Sequence, residues 1–177
     1  MAPSEPTRDH AEDPNRPRIP DFSSTAGRKL AVVCSKGNLD QVYPALVFAS
    51  AALGEGIETH LFFTFWGFEV ILPDRMRELK FTPLGNTAVH LPQGLGGLPG
   101  MTALATRVMR RQIADIGVPD IPELLDQIVA CGGHLWACQM SVDLMHLQPD
   151  DLYGAVEGVI NAADFFDKTS GAQLIFI

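Results

Sequence analysis

Leu30-Ala31-Val32-Val33-Cys34 is apolar at every position, and the turn-forming Ser35-Lys36-Gly37-Asn38 closes it. A short unbroken apolar run ended by turn residues predicts a strand buried on both faces. Leu39, Val42, Tyr43, Leu46 and Val47 then recur at helical spacing, with Ser50 on the same side. They predict a helix over 39–53, with Asn38 placed to cap its start and Gly54 and Gly56 to stop it. Residues 57–63 form a second apolar run and a second buried strand, so the chain opens β-α-β.

The pattern is less regular after Thr64. Trp66 to Leu72 reads as a short helix, and residues 75–91 show no clear period but leave room for one strand. Gly and Pro dominate residues 91–100, which excludes a helix or a central strand there. Met101, Leu104, Val108, Met109 and Ile113 predict a helix over 101–116, and residues 121–131 predict another, ended by Gly132-Gly133. His134 to Ala137 is a short strand with Cys138 at its end. A helical stretch follows around Ser141 to Met145, with a turn at Asp150-Asp151. Residues 156–160, 162–169 and 173–177 read as strand, helix and strand. Strands alternating with helices imply parallel pairing and a three-layer α/β domain.

The first 27 residues depart from this pattern. Pro3, Pro6, Pro14, Pro17 and Pro20 stand among charges with few large apolar groups, so burial cannot offset the ordering entropy. We expect a disordered tail over 1–27 and one folded domain over 28–177. Of the 177 residues, 46% are hydrophobic, which is enough for a buried core. A net charge of -8 repels phosphate backbones and argues against nucleic acid as a partner. The segment Met1–Asp21 is too polar for a signal peptide. The most apolar stretch, 61–73, is interrupted by Glu69 and falls short of the ~20 residues a membrane span requires. Three cysteines, an odd number, argue against a disulfide scaffold, and reduced thiols point to the cytoplasm.

In open parallel sheets ligands gather outside the carboxyl ends of the strands. Cys34 and Cys138 both fall there. Cys138 also opens onto a helix, whose unpaired N–H groups and positive dipole end favour a thiolate, the nucleophilic form. Cys131 sits at a helix end, where the dipole disfavours an anion. The alternative for each cysteine is a small buried hydrophobe, and that alternative weighs most for Cys131 and least for Cys138. Ser35, Lys36, Gly37 and Asn38 could offer N–H groups and charge to an anion, or form an ordinary strand-to-helix turn. His134 and His146 flank the Cys138 region and read as structural. The five histidines show no ligand spacing, and no CxxC pair is present, so neither a metal nor an organic cofactor is expected. The glycine-rich loop lacks the Lys-Ser/Thr of a phosphate cradle. Arg107, Arg110 and Arg111 read as a solvated helix face.

Several segments, in order, are similar to those of one family. Ser35-Lys36-Gly37-Asn38-Leu39-Asp40 with Tyr43-Pro44-Ala45-Leu46 resembles the first βα unit of DsrE/DsrF-like proteins. Phe62-Phe63-Thr64-Phe65-Trp66-Gly67, Gly97-Leu98-Pro99-Gly100-Met101, Ala137-Cys138-Gln139-Met140-Ser141-Val142-Asp143 and Ile175-Phe176 resemble further segments. They are those of the branch often labelled peroxiredoxin family protein. The chain has no peroxiredoxin-like Thr-x-x-Cys arrangement, so that label is set aside. The resemblance spans 29–177.

It implies a Rossmann-like fold with a mainly parallel sheet of about five strands. It implies a homo-oligomer. It implies a persulfide or thiosulfonate carried on Cys138, without cofactor, between donors such as rhodaneses and acceptors such as TusA-like proteins. Gln139 and Ser141 of the same motif are candidate binding residues, and Cys34 a candidate second thiol. Two other readings stay open. One is an oligomeric binding or assembly module using the aromatics Phe63, Phe65, Trp66 and Phe68. The other is a small-anion or nucleotide binder at residues 35–38.

Overall fold

The computed structural model describes residues 27–82 and 98–177. Five parallel strands form one sheet: β1 (Lys29–Cys34), β2 (Glu58–Phe63), β3 (His134–Cys138), β4 (Gly158–Ile160) and β5 (Gln173–Phe176), in the order β4-β3-β2-β1-β5. The helices are α1 (Leu39–Gly54), α2 (Met101–Asp115), α3 (Ile121–Ala130), α4 (Gln139–Met145) and α5 (Ala162–Lys168). The residues expected to form a short helix after β2 instead form a tighter 3-10 turn, Phe65–Ile71. Every other predicted element lies within two or three residues of its expected bounds. The predicted tail as far as residue 26, and residues 83–97 with most of the glycine-rich loop and any strand hidden before it, lie outside the described residues.

The topology explains the layers. From β1 to β4 the chain steps across the sheet in one direction. Crossovers between parallel strands are right-handed, so helices on that path share one face. On that face α1 contributes Leu39, Val42, Leu46 and Ala49, and α3 contributes Ile121, Leu124, Leu125 and Ile128. They pack against Leu30, Val32, Leu61, Phe63, Leu135 and Ala137 of the strands. The step from β4 to β5 runs the other way, across four strand spacings of about 19 Å. The same handedness places its helix, α5, on the opposite face. There Phe165 packs with Ala31, Val33, Phe62, Trp136 and Cys138. Helices thus cover both faces, but among the described residues α5 is the only one on the second.

Two sequence expectations need adjustment. Helix α2 has no fully buried residue, and its Leu104 and Val108 are exposed. Only Ala105 and Met109 of this helix pack against the core, and polar groups add further ties. Arg110 Nη2 donates to the carbonyls of Arg77 (2.5 Å) and Leu79 (2.9 Å), so Arg110 is not simply solvated. Thr106 Oγ1 accepts the Phe81 N–H at 3.0 Å. Strand β5 is apolar yet lies at the sheet edge, with Leu174 and Phe176 facing the thinly covered side and exposed.

Candidate functional site

The carboxyl ends of β1, β2 and β3 interlock through their following loops. Thr64 N–H donates to the Cys34 carbonyl at 3.0 Å. Gly67 lies so close beneath Cys34 that an added Cβ would sit 2.2 Å from that carbonyl oxygen. An added Cβ on Gly37 would sit 2.6 Å from the Trp66 carbonyl oxygen. Both positions require glycine because backbone meets backbone there. Phe65 holds a left-handed φ of 47°, a strained choice for a bulky residue. Ser141, fully buried in the first turn of α4, compensates: its Oγ accepts the Phe65 N–H at 2.8 Å and lies 3.4 Å from Thr64 Oγ1.

Cys138 ends β3 and is the N-cap residue of α4, and its side chain makes no cap hydrogen bond. It is buried, while the next two residues, Gln139 and Met140, are exposed. Cys34 ends β1. In the ladder Cys34 pairs with Phe63, and Phe63 with Ala137, so all three share a face. Cys138 lies one residue beyond Ala137 and pairs with Ile160 on the other face. The two thiols therefore point to opposite sides of the sheet from strands about 10 Å apart. That exceeds the ~7 Å Cα separation a disulfide tolerates, so the structure does not bring them together. Burial pushes the Cys34 thiol up to about 12, which keeps it protonated. Cys131 is exposed in the turn after α3.

The remaining candidates are mostly committed to the scaffold. Ser35 uses both its N–H (2.6 Å) and its Oγ (2.9 Å) to donate to the Ile177 main-chain oxygen, which ties β5 to the end of β1. Asn38 Nδ2 donates to Thr82 Oγ1 at 2.8 Å, Gly37 is buried, and Lys36 is exposed. Gln139 Nε2 donates to Asp143 Oδ1 at 2.8 Å along α4. His134 starts β3 on the same face as Cys138 but about 13 Å from it along the strand. His146 lies at the far end of α4. Of the four aromatics weighed as a docking surface, Phe63 and Phe68 are fully buried, and only Phe65 and Trp66 are exposed.

Two clefts flank Trp66. One of about 320 Å³ lies between Gly37, Asn38, Glu69, Arg75, Glu78 and Lys80, and a larger one of about 620 Å³ runs past Glu69, Arg75 and Met145 to Asp150 and Asp151. Cys138 lines neither. The two clefts share Trp66, Glu69 and Arg75 in their walls. No described helix is long and apolar enough to cross a membrane.

A parallel five-stranded sheet covered by helices on both faces makes this an α/β protein. The chain belongs to the DsrE/DsrF/DrsH-like family, whose model matches residues 26–177. It is 34% identical over 148 residues to the sulfur carrier protein DsrE2 of Allochromatium vinosum, a match covering 79% of this chain and 91% of that protein. It is 25% identical over 155 residues to YrkE of Bacillus subtilis, covering 85% and 97% respectively. The fold is similar to the crystal structure of the E. coli ychN protein, with a TM-score of 0.53 at 13% identity, covering 85% of this chain and 99% of that one. Methanobacterium thermoautotrophicum MTH1491 gives a TM-score of 0.52 at 10% identity, with the same coverage.

Proposed function

We propose that this protein carries sulfane sulfur on Cys138 and passes it to a partner's thiol. The observation that carries the reading is the place of Cys138 at the end of β3, as N-cap of α4, with its thiol unused by the cap. The chain's likeness to a protein named as a sulfur carrier supplies the cargo.

The chemistry is two displacements. The Cys138 thiolate attacks the outer sulfur of a donor persulfide, forming one S–S bond as the donor's S–S bond breaks. The donor's inner sulfur leaves with the electron pair as a thiolate. An acceptor thiolate then attacks the outer sulfur on Cys138, and Cys138 leaves as the thiolate. Sulfur oxidation states only exchange, so no redox partner or cofactor enters. With thiosulfate as donor, the leaving group is sulfite. Rhodanese-like donors and TusA-like acceptors suit these steps, as does a homo-oligomer that leaves Gln139 and Met140 accessible. Such a role suits the cytoplasm.

The test is the intact mass after incubation with thiosulfate, tetrathionate or polysulfide. In a Cys131→Ser chain, which lacks the exposed thiol, the protein gains sulfur that a reductant removes, and adding Cys138→Ser abolishes the gain. Equal gain by the double variant removes the assignment to Cys138.

A further inference from the structure

The amino end of the sheet holds a cluster unconnected with Cys138. Although the five histidines are scattered in sequence, the β2–β3 register pairs His60 with His134. Their rings stack 4.5 Å apart at 16°. Glu58, two residues before His60 on the same strand face, places Oε1 2.9 Å from His60 Nε2. One ligand atom from each of Glu58, His60 and His134 lies within 4.8 Å of the others.

We propose that Glu58, His60 and His134 bind one divalent first-row transition cation of the zinc class. Two imidazoles and one carboxylate suit zinc, cobalt or nickel, while magnesium and calcium prefer all-oxygen sites. An imidazole must be neutral to ligate. The resting His60 ring is neutral but holds its proton on the ligating nitrogen: the Trp136 indole N–H can only donate, and it donates to His60 Nδ1 at 3.2 Å, so the Nε2–H points at Glu58 and must shift before Nε2 can ligate. His134 Nδ1 lies 2.6 Å from Glu157 Oε1, the carboxylate–histidine pairing that orients a metal-binding ring through its other nitrogen. Glu58 and His134 are each more than a third exposed, which leaves coordination positions open to water.

Binding has two structural consequences. Tetrahedral zinc with ligands at about 2.0–2.1 Å holds neighbouring ligand atoms about 3.4 Å apart, so the Glu58 and part-exposed His134 side chains must close inward by about 1 Å, and the His134 ring must turn out of its 16° stack on His60 for both in-plane lone pairs to meet one ion. Lys29 Nζ, 2.9 Å from Glu58 Oε1, competes with the cation for that carboxylate. Ligation through His60 Nε2 also moves that ring's proton to Nδ1. The Trp136 N–H then loses its acceptor, so metal occupancy is reported at Trp136.

The test titrates the full chain with zinc and with cobalt(II), with magnesium as control. Expected are one saturable zinc per chain, no comparable magnesium binding, and a cobalt spectrum without thiolate-to-metal charge transfer. Glu58→Gln and His134→Ala weaken zinc tenfold or more, whereas Lys29→Ala tightens it. In a Trp66→Phe chain, zinc shifts the emission of Trp136. His60 is buried and its removal could unfold the chain, so the variants at exposed Glu58 and His134 are the decisive ones. Unchanged affinity in both variants, a thiolate band with cobalt, or no saturable zinc binding by wild type overturns the proposal. Cys138→Ser leaves zinc binding intact, which separates this site from the sulfur reading.

Discussion

Ser141 Oγ accepts the backbone N–H of Phe65 across 76 residues of sequence, and this bond joins the cysteine-bearing turn to the loop after β2. Phe65 is the residue that bends into the left-handed region, so its N–H has no strand partner there. Ser141→Ala leaves that donor unpaired in a part-buried place. It should cost about 1–3 kcal/mol of stability, read as a lower denaturant midpoint with unchanged slope. Ser141→Thr supplies the same oxygen, but it adds a methyl to a fully buried site and recovers only part of the loss.

Gly67 gives a sharper contrast. A methyl there meets the Cys34 carbonyl at 2.2 Å, and backbone cannot yield as a side chain does. Gly67→Ala should destabilise by at least about 1–3 kcal/mol, with the loops after β1 and β2 forced apart. Gly54, the last residue of α1, has nothing within 4 Å of its added Cβ and no positive φ. Gly54→Ala should be neutral, or stabilising by up to about 1 kcal/mol, through a stiffer unfolded chain. Thermal melts of the two variants side by side check both signs.

These contacts mark what was legible in the sequence. The apolar runs at 30–34 and 57–63 and the helical spacing of 39–53 are local signals, and the structure forms a strand, a strand and a helix there. The five-stranded parallel sheet was expected from alternation and family resemblance, and it is present. The face of each thiol was not legible. It depends on a one-residue offset between Cys34, in register with Ala137, and Cys138. Ser141 stood in the motif as a candidate binding residue, and only the fold brings Phe65 to its oxygen. The pairing of His60 with His134 is likewise a fact of register. Its one sequence signal was a histidine near the start of each of two neighbouring strands.

The three thiols should react in an order set by burial. Cys131 is exposed and alkylates fastest in the native protein. With its pKa raised to about 12 by burial, Cys34 is ionised to only about one part in ten thousand at pH 8. It should stay unmodified until the chain unfolds. The sign for stability follows. Between the ordinary thiol value of 9.0 and about 12 the folded state holds the proton and the unfolded state releases it, so this contribution is complete below about pH 9 and is lost as pH rises toward 12. Cys34→Ala removes that part of the alkaline slope. Peptide mapping after timed iodoacetamide exposure reads the order, and denaturant melts against pH read the slope.

Access to Cys138 should depend on Phe165. That ring is 2% exposed and stacks on Phe62 with centroids 4.8 Å apart. It anchors α5, a seven-residue helix and the only described one over the Cys138 face. A helix this short has little stability of its own, so one buried aromatic decides whether it stays docked. Phe165→Ala should cost about 3–5 kcal/mol and loosen α5. Alkylation of Cys138 should then accelerate, and so should its persulfidation by polysulfide. Cys34 is the internal control, because it faces the opposite layer and global unfolding would expose it equally. A rise confined to Cys138 identifies α5 as its cover. Equal acceleration at both cysteines shows that the whole domain has opened and that α5 has no separate role in access.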